Sequence, residues 1–441
     1  MIALLIGLAW GAPLQLGDVL DRVDARLPAM AAAEARVDEA HGKVLSTRGA
    51  FDPVLVGKGG TYLNKYPRTT ITAGVATDSI WGPSLEVGWA RGVGDFPAYA
   101  EDAETGPSGE VYAHLAVPVL DGLGYGKDRA YLESAQASRL GKEAALLDVR
   151  RKARLEAAKR YWSWVAAHQA LQVAEDQREL ARQRNAALQR QVELGSRPQL
   201  DLIDNQRVLY EREAAVAMAE QKVQLAGFAL SLFLRDPGGA PEVPTPEQAP
   251  AEWPALDPLP EADRDLQALG WRPDRAKADA EVLGATIDQR RAKNALLPKL
   301  EVSATGIQPL DPDTKTEIIG GVSVEAPLAF RQGIGERRAA DARSRAVQEE
   351  RRALDDAIRA EVAGALEARR LAEAAAVAAR EAAERAREVL QMERRRVELG
   401  GSDLFQLLLR EDSLAKARKA SIDAEYDLRV ADAVVRAALH M

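Results

Sequence analysis

The residues able to do chemistry are few and scattered. His41, His114, His168 and His440 each stand alone, with no cysteine and no carboxylate at the spacing a metal site needs. The absence of cysteine from the chain removes disulfides, thiolate metal sites, a thiolate nucleophile and a lipidated N-terminal cysteine, and it fits an oxidising compartment. One glycine-rich stretch, Gly122-Leu123-Gly124-Tyr125-Gly126, lacks the Lys-Ser/Thr ending and helix-opening context of a phosphate loop and reads as a strand-to-helix connector. Tyr161-Trp162-Ser163-Trp164 reads as packing rather than a ligand box. The carboxylates Asp201 and Asp204 do carry a pattern, because an i, i+3 spacing puts both on one face of a helix. The plainer reading of that pair is a solvated acidic face. No enzyme, metal or cofactor is expected from this inventory.

The elements around those acids are more informative. Val192-Glu193-Leu194-Gly195 is followed by Ser196-Arg197-Pro198-Gln199-Leu200-Asp201-Leu202, and Val397-Glu398-Leu399-Gly400 by Gly401-Ser402-Asp403-Leu404-Phe405-Gln406-Leu407. Both stretches stop a long helical run and start another. Glycine after the last apolar residue is a left-handed C-cap signal. Pro198 suits a first helical turn, and Ser402 or Asp403 can accept bonds from the open N–H groups of the next helix. Each turn reads as the tip of a helical hairpin. An offset of 205 residues carries Gly195 onto Gly400, Leu202 onto Leu407, Leu209 onto Leu414 and Val223 onto Leu428. One register through a turn and the helix after it indicates duplication.

Helix formers fill most of 126–235 and 336–440. Leu140, Ala144, Leu147, Arg151, Leu155, Ala158, Trp162, Val165 and Gln169 step by four and three, the spacing of a coiled-coil seam. The 5% aromatic content suits long helices meeting along narrow seams better than one thick core. Between the helical runs the period changes to two. Leu85, Val87 and Trp89 alternate with smaller or polar neighbours, as do Val111, Ala113, Leu115 and Val117, then Leu300, Val302 and Ala304, then Ile318, Gly320, Val322 and Val324. Such stretches are strands with one apolar face. Gly92 to Gly109 reads as an exposed loop. Prolines 237, 241, 244, 246, 250, 254, 258 and 260 crowd residues 236–262, which reads as a linker between halves. The expected organisation is a signal peptide or its remnant over 1–12 and a first repeat over 13–235, with strands at about 51–118 and a tip at 192–202. The linker follows, then a second repeat over 263–441 with strands at about 298–327 and a tip at 397–407. Met1 to Ala12 is apolar like a signal-peptide core but has no basic start. No stretch reaches the roughly 18 apolar residues of a membrane helix. The net charge of −8, with basic and acidic residues interleaved, argues against a nucleic-acid partner.

Each half therefore runs helix, strands, long helix, tip, helix. The strand exits correspond as well: Val117-Pro118-Val119-Leu120-Asp121-Gly122 against Ala326-Pro327-Leu328-Ala329-Phe330-Arg331-Gln332-Gly333. With Arg272-Pro273-Asp274 leading into Ala292-Lys293-Asn294-Ala295-Leu296-Leu297-Pro298, this order resembles the TolC-like outer-membrane efflux proteins, the outer membrane factors. The resemblance implies a mostly α fold with a small β part. It implies a homotrimer whose helices form a periplasmic α-barrel and whose strands, four per chain, form one twelve-stranded β-barrel in the lipid of the outer membrane. It further implies a passive exit duct for efflux or type I secretion, served by a periplasmic adaptor and an inner-membrane transporter. Leu194, Gly195, Ser196, Leu399, Gly400 and Gly401 would be the adaptor-facing tips, and Asp201, Asp204, Asp403 and Gln406 would line the entrance. Physics agrees in part: a strand pair with open edges is tolerated in lipid only inside a closed barrel, and so few strands cannot close alone.

Two departures from the family pattern are visible. The strand region of the first half is much longer than that of the second and leaves room for an extra hairpin or a long extracellular loop around 67–108. Some members carry paired carboxylates just after the second tip, where this chain has Gln406 and Leu409. Its acids follow the first tip instead, where a ring from three chains would attract cations and resist closure while ionised. The chief alternative is a periplasmic adaptor, which would show one helical hairpin flanked by halves of a β-domain. A soluble coiled-coil scaffold is the other, and the amphipathic strands argue against it.

Overall fold

A computed structural model describes residues 13–63, 65–96, 105–256, 258, 272–312 and 315–439. The expected signal peptide at 1–12 lies outside the described residues, as do residues 97–104 of the expected 92–109 loop, the end of the linker and His440, while 92–94 are strand rather than loop. The helices are α1 (Leu16–Arg26), α2 (Pro28–Arg48), α3 (Lys127–Glu193), α4 (Gln199–Ser231), α5 (Pro273–Asn294), α6 (Arg331–Glu398) and α7 (Leu404–Ala438). Strands β1 (Val54–Tyr62), β2 (Arg68–Asp78), β3 (Ser84–Gly94) and β4 (Glu110–Pro118) lie between α2 and α3, and β5 (Lys299–Pro309) and β6 (Glu317–Glu325) between α5 and α6. Pro28 opens α2 after a break at Leu27, whose extended backbone is what a residue before proline prefers. At 67 and 68 residues, α3 and α6 each measure about 100 Å along the axis.

The chain folds as two compact units, each assembled from segments distant in sequence. The first comprises residues 1–34, 146–272 and 355–441. Its core gathers Leu14, Val19, Val23, Leu27 and Met30 against Ala157, Tyr161, Trp162, Trp164 and Val165 of α3 and Leu230 and Leu234 at the end of α4. Tyr161 is fully buried and its hydroxyl donates to the Leu14 carbonyl at 2.8 Å. The aromatic cluster is thus packing, with a polar handle satisfied by backbone. The coiled-coil seam is only partly used: Ala158, Trp162 and Val165 are buried, whereas Leu140 and Leu147 are exposed.

The second unit comprises residues 35–145 and 273–354. Among the described residues its sheet has six strands in the order β1-β2-β3-β4-β5-β6, every neighbour antiparallel. This corrects the expected four strands per chain. The second half supplies two, but the first supplies four, the extra hairpin that its longer strand region left room for being β1–β2 at 54–78. All six strands are 9 or 11 residues long, within the range a tilted strand needs to cross a bilayer. Beneath the sheet, Asn294 donates to the Asp121 carboxylate at 2.8 Å and to the Tyr125 carbonyl at 3.0 Å. Arg290 stacks 3.9 Å over the Tyr125 ring. The glycine-rich stretch at 122–126 is the strand-to-helix connector, tied down by these contacts.

Candidate functional site

Two features could serve transport: the helical tips and the sheet's two faces. At the first tip the Gly195 N–H donates to the Val192 carbonyl at 2.9 Å and the Ser196 N–H to Gln191 at 2.9 Å. At the second, Gly400 donates to Val397 at 3.0 Å and Gly401 to Arg396 at 2.8 Å. Both are Schellman caps, in which two amides beyond the helix reach back to its last open carbonyls. The closing residue must be left-handed, and Gly195 and Gly400 sit at φ of +70° and +75°. The tips differ in how the next helix begins. Pro198 precedes α4 with extended backbone and no side-chain cap. Asp403 caps α7 by accepting from the Gln406 N–H at 2.8 Å. Leu194 and Leu399 are each 81% exposed, and Leu200 and Phe405 also face solvent just beyond them. The end of the hairpins is therefore a small, repeated apolar surface.

The expected entrance residues are not alike. Asp201 faces Arg197 one turn before it at 3.4 Å, and Asp204 shares Arg207 with Glu211 at 3.1 and 2.6 Å. Each aspartate thus has a counter-charge on its own helix or the turn leading into it. The Asp403 carboxylate is engaged by the cap. The structure brings forward two acids that sequence reasoning passed over. Glu411 is buried on α7 between Arg184 of α3 and Arg394 of α6, and Glu393 on α6 accepts from Ser402 and pairs with Arg396 at 3.3 Å. A signal existed for Glu411, which falls at a seam step between Leu407 and Leu414. Their partners tie three helices together near the tips.

The sheet is two-faced through its middle strands, while Val54 and Val56 of β1 and Ile319 of β6 put apolar side chains on the polar side at its edges. Register puts Leu55, Val75, Val87, Ala113, Gly306 and Ile318 in one cross-strand row. The neighbouring row on the other face reads Val54, Ala76, Glu86, His114, Thr305 and Ile319. On the first face Val75, Val87, Leu115, Val302, Val322 and Val324 are all exposed. On the second, Tyr112 donates to Glu86 at 2.7 Å, His114 and Thr305 share a hydrogen bond of 2.8 Å, and Lys58 and Glu301 also project. An apolar exterior and a polar interior are the two faces of a membrane barrel around water. No described helix is long and apolar enough to cross a membrane. Aromatic residues flank the strands, with Phe51 and Trp81 at the helix end and Tyr62, Tyr66 and Phe96 at the other, as interfacial belts do.

Residues 19–234 and 263–439 match the outer membrane efflux protein family. The chain belongs to that family. The efflux protein is accordingly an outer-membrane exit channel, with its helical part in the periplasm, and the adaptor alternative falls. Solved structures with the same fold include the outer-membrane channel OprN, at 19% identity and a TM-score of 0.70, covering 96% of this chain and 89% of that one. VceC of Vibrio cholerae matches at 17% identity and a TM-score of 0.69, with 96% of both chains covered. The open state of the Neisseria gonorrhoeae MtrE channel matches at 16% and 0.70, covering 96% and 88%. No curated protein sequence matches.

One further cleft, about 830 Å³, lies in the first unit among α1, α3, α7 and the linker. Arg150, Arg151, Arg154, Arg429 and Arg436 line it, and each pairs with a carboxylate: Asp24, Asp148, Asp24, Glu425 and Asp432 in turn. Arg150 and Arg154 share Asp24, so each guanidinium has a carboxylate partner and together they tie the elements of this unit to one another.

Proposed function

We propose that the efflux protein is the passive duct of a tripartite export system, assembled as a homotrimer and joined through a periplasmic adaptor to an inner-membrane transporter. The observation that carries this reading is the sheet with one apolar and one polar face and open edges at β1 and β6. Those edges carry backbone donors and acceptors that lipid cannot satisfy, so sister copies must close the ring. The exposed Leu140 and Leu147 on α3 are consistent with helices that find neighbours only in the assembly.

In this reading the protein does no chemistry; it offers a water-filled path, and the transporter supplies the energy. Leu194, Gly195, Ser196, Leu399, Gly400 and Gly401 meet the adaptor, and the exposed apolar ring they share with Leu200 and Phe405 is the docking surface. Asp201, Asp204, Asp403 and Gln406, in the first turns past the tips, line the mouth. Arg197 and Arg207 offset the two aspartates of α4, so the mouth discriminates weakly by charge. Opening is an outward splay of the tip hairpins, a population shift driven by the adaptor. Outer-membrane fractionation followed by gels of unheated and heated samples tests the assembly. A heat-sensitive trimer in the outer-membrane fraction is expected. A monomer that stays soluble without detergent refutes the proposal.

A further inference from the structure

The family resemblance implies four strands per chain, yet the sheet has six among the described residues. We infer that the additional hairpin, β1–β2, is part of the barrel wall, that β1 of one copy pairs with β6 of the next, and that the trimer closes with eighteen strands. This rests on the homotrimeric reading above.

The decisive observation is which edges are occupied. A twelve-stranded ring built from β3 to β6 needs the outer edge of β3 to receive β6 of a neighbour. That edge is already taken by β2, through an unbroken ladder of eleven residue pairs from Arg68–Gly94 to Asp78–Ser84. It is the longest ladder in the sheet, and breaking it in lipid would strand its backbone groups. The edge left to offer is β1, itself bound to β2 through nine consecutive pairs without a bulge. β1 and β6 are both nine residues long, and an even number of alternating strands makes them antiparallel when they meet.

The faces agree. Leu55 lies in the apolar row and Lys58 on the polar side, and on β6 Ile318, Val322 and Val324 lie on the apolar side with Glu325 on the polar one. A register that sets Leu55 beside Val324, or two residues either way, keeps lipid and lumen faces continuous across the junction. The hairpin also sits at the same depth as the rest. Arg68 of β2 stacks 3.9 Å over Tyr62 of β1 and 5.9 Å from Phe96 just past β3, tying the three strand ends into one belt. Taking a strand spacing of about 4.8 Å and a tilt of about 40°, eighteen strands give a wall diameter of about 36 Å against about 24 Å for twelve. The outer mouth would admit bulkier cargo than a twelve-stranded ring.

The chain has no cysteine, so paired cysteines report without background. In the full-length chain, Leu55→Cys with Val324→Cys and Leu55→Cys with Val322→Cys test the β1–β6 junction. Val87→Cys with Val322→Cys tests closure on β3. Val56→Cys with Val324→Cys, on opposite faces, is the control. Disulfide-linked dimers and trimers from a β1–β6 pair, with none from the control, are expected. Cross-linking only through Val87 overturns the inference while leaving the trimer standing. No cross-link from any pair overturns both, and equal cross-linking by the control also overturns the inference. Electron microscopy of the wild-type chain in detergent counts the strands without substitution: eighteen supports the inference, and twelve sinks it.

Discussion

Replacing Gly195 and Gly400 separates the backbone from its surroundings unusually well. Both glycines are left-handed, at φ of +70° and +75°, and a Cβ built on either meets nothing within 4 Å. The cost of a side chain there is therefore conformational, not steric. For an L-residue with a Cβ it is about 1–2 kcal/mol per site, with β-branched residues at the upper end and asparagine least affected. The order of tolerance at each tip is Gly, Asn, Ala, Val. The penalty falls on a cap of two hydrogen bonds at the end of a long hairpin, so it appears as fraying. Amide exchange at residues 195, 196, 400 and 401 in Gly195→Val and Gly400→Val should accelerate about 5–30-fold, while core amides around Trp164 keep their rates. Hydrogen-exchange mass spectrometry on the detergent-solubilised protein reads this directly. If valine exchanges no faster than asparagine, the backbone argument is wrong. If the double valine variant still forms its oligomer and exports at the wild-type level, the tips do not engage the adaptor.

Further perturbations test other parts of the structure. Asp403→Ala removes the cap of α7 and should cost about 1 kcal/mol, read as faster exchange in residues 404–407 but not in 199–202, where no side chain caps. Asp432 is buried between Arg369 at 2.9 Å and Arg436 at 2.7 Å. Asp432→Ala should cost about 2 kcal/mol, since two charge-assisted hydrogen bonds are lost while Arg369 keeps Glu373, visible as a lower midpoint in helical circular dichroism melts. Burial holds the His168 imidazole below its usual value, against a smaller upward pull from Glu247. The unfolded chain therefore takes up this proton first as pH falls through about 6.5, and stability drops there. His168→Phe should lose less stability than wild type between pH 7 and pH 5, and an equal loss would show that this imidazole is not the group responsible.

Much of this protein is written in local chemistry. Glycine beyond a helical run ends that run wherever it occurs, so both tips and the long helices follow from residues near each other in the chain. The two faces of β3 to β6 follow from period-two alternation for the same reason. Strand number did not. In β1 both Val54 and Val56 on one face and Leu55 on the other are apolar, and Gly57, Gly59 and Gly60 supply no side chain to alternate. What makes 54–62 a strand is its nine-pair ladder with β2, which is itself held by β3. The acids near the mouth divide in the same way. Asp201 and Asp204 find arginines within four residues, a relation spacing alone could reveal. Glu411 finds Arg184, 227 residues away, and its burial becomes visible only when α3, α6 and α7 are packed together. Contacts between distant parts of the chain are chosen by which backbone edges and charges would otherwise be left without partners, and only the folded chain shows which those are.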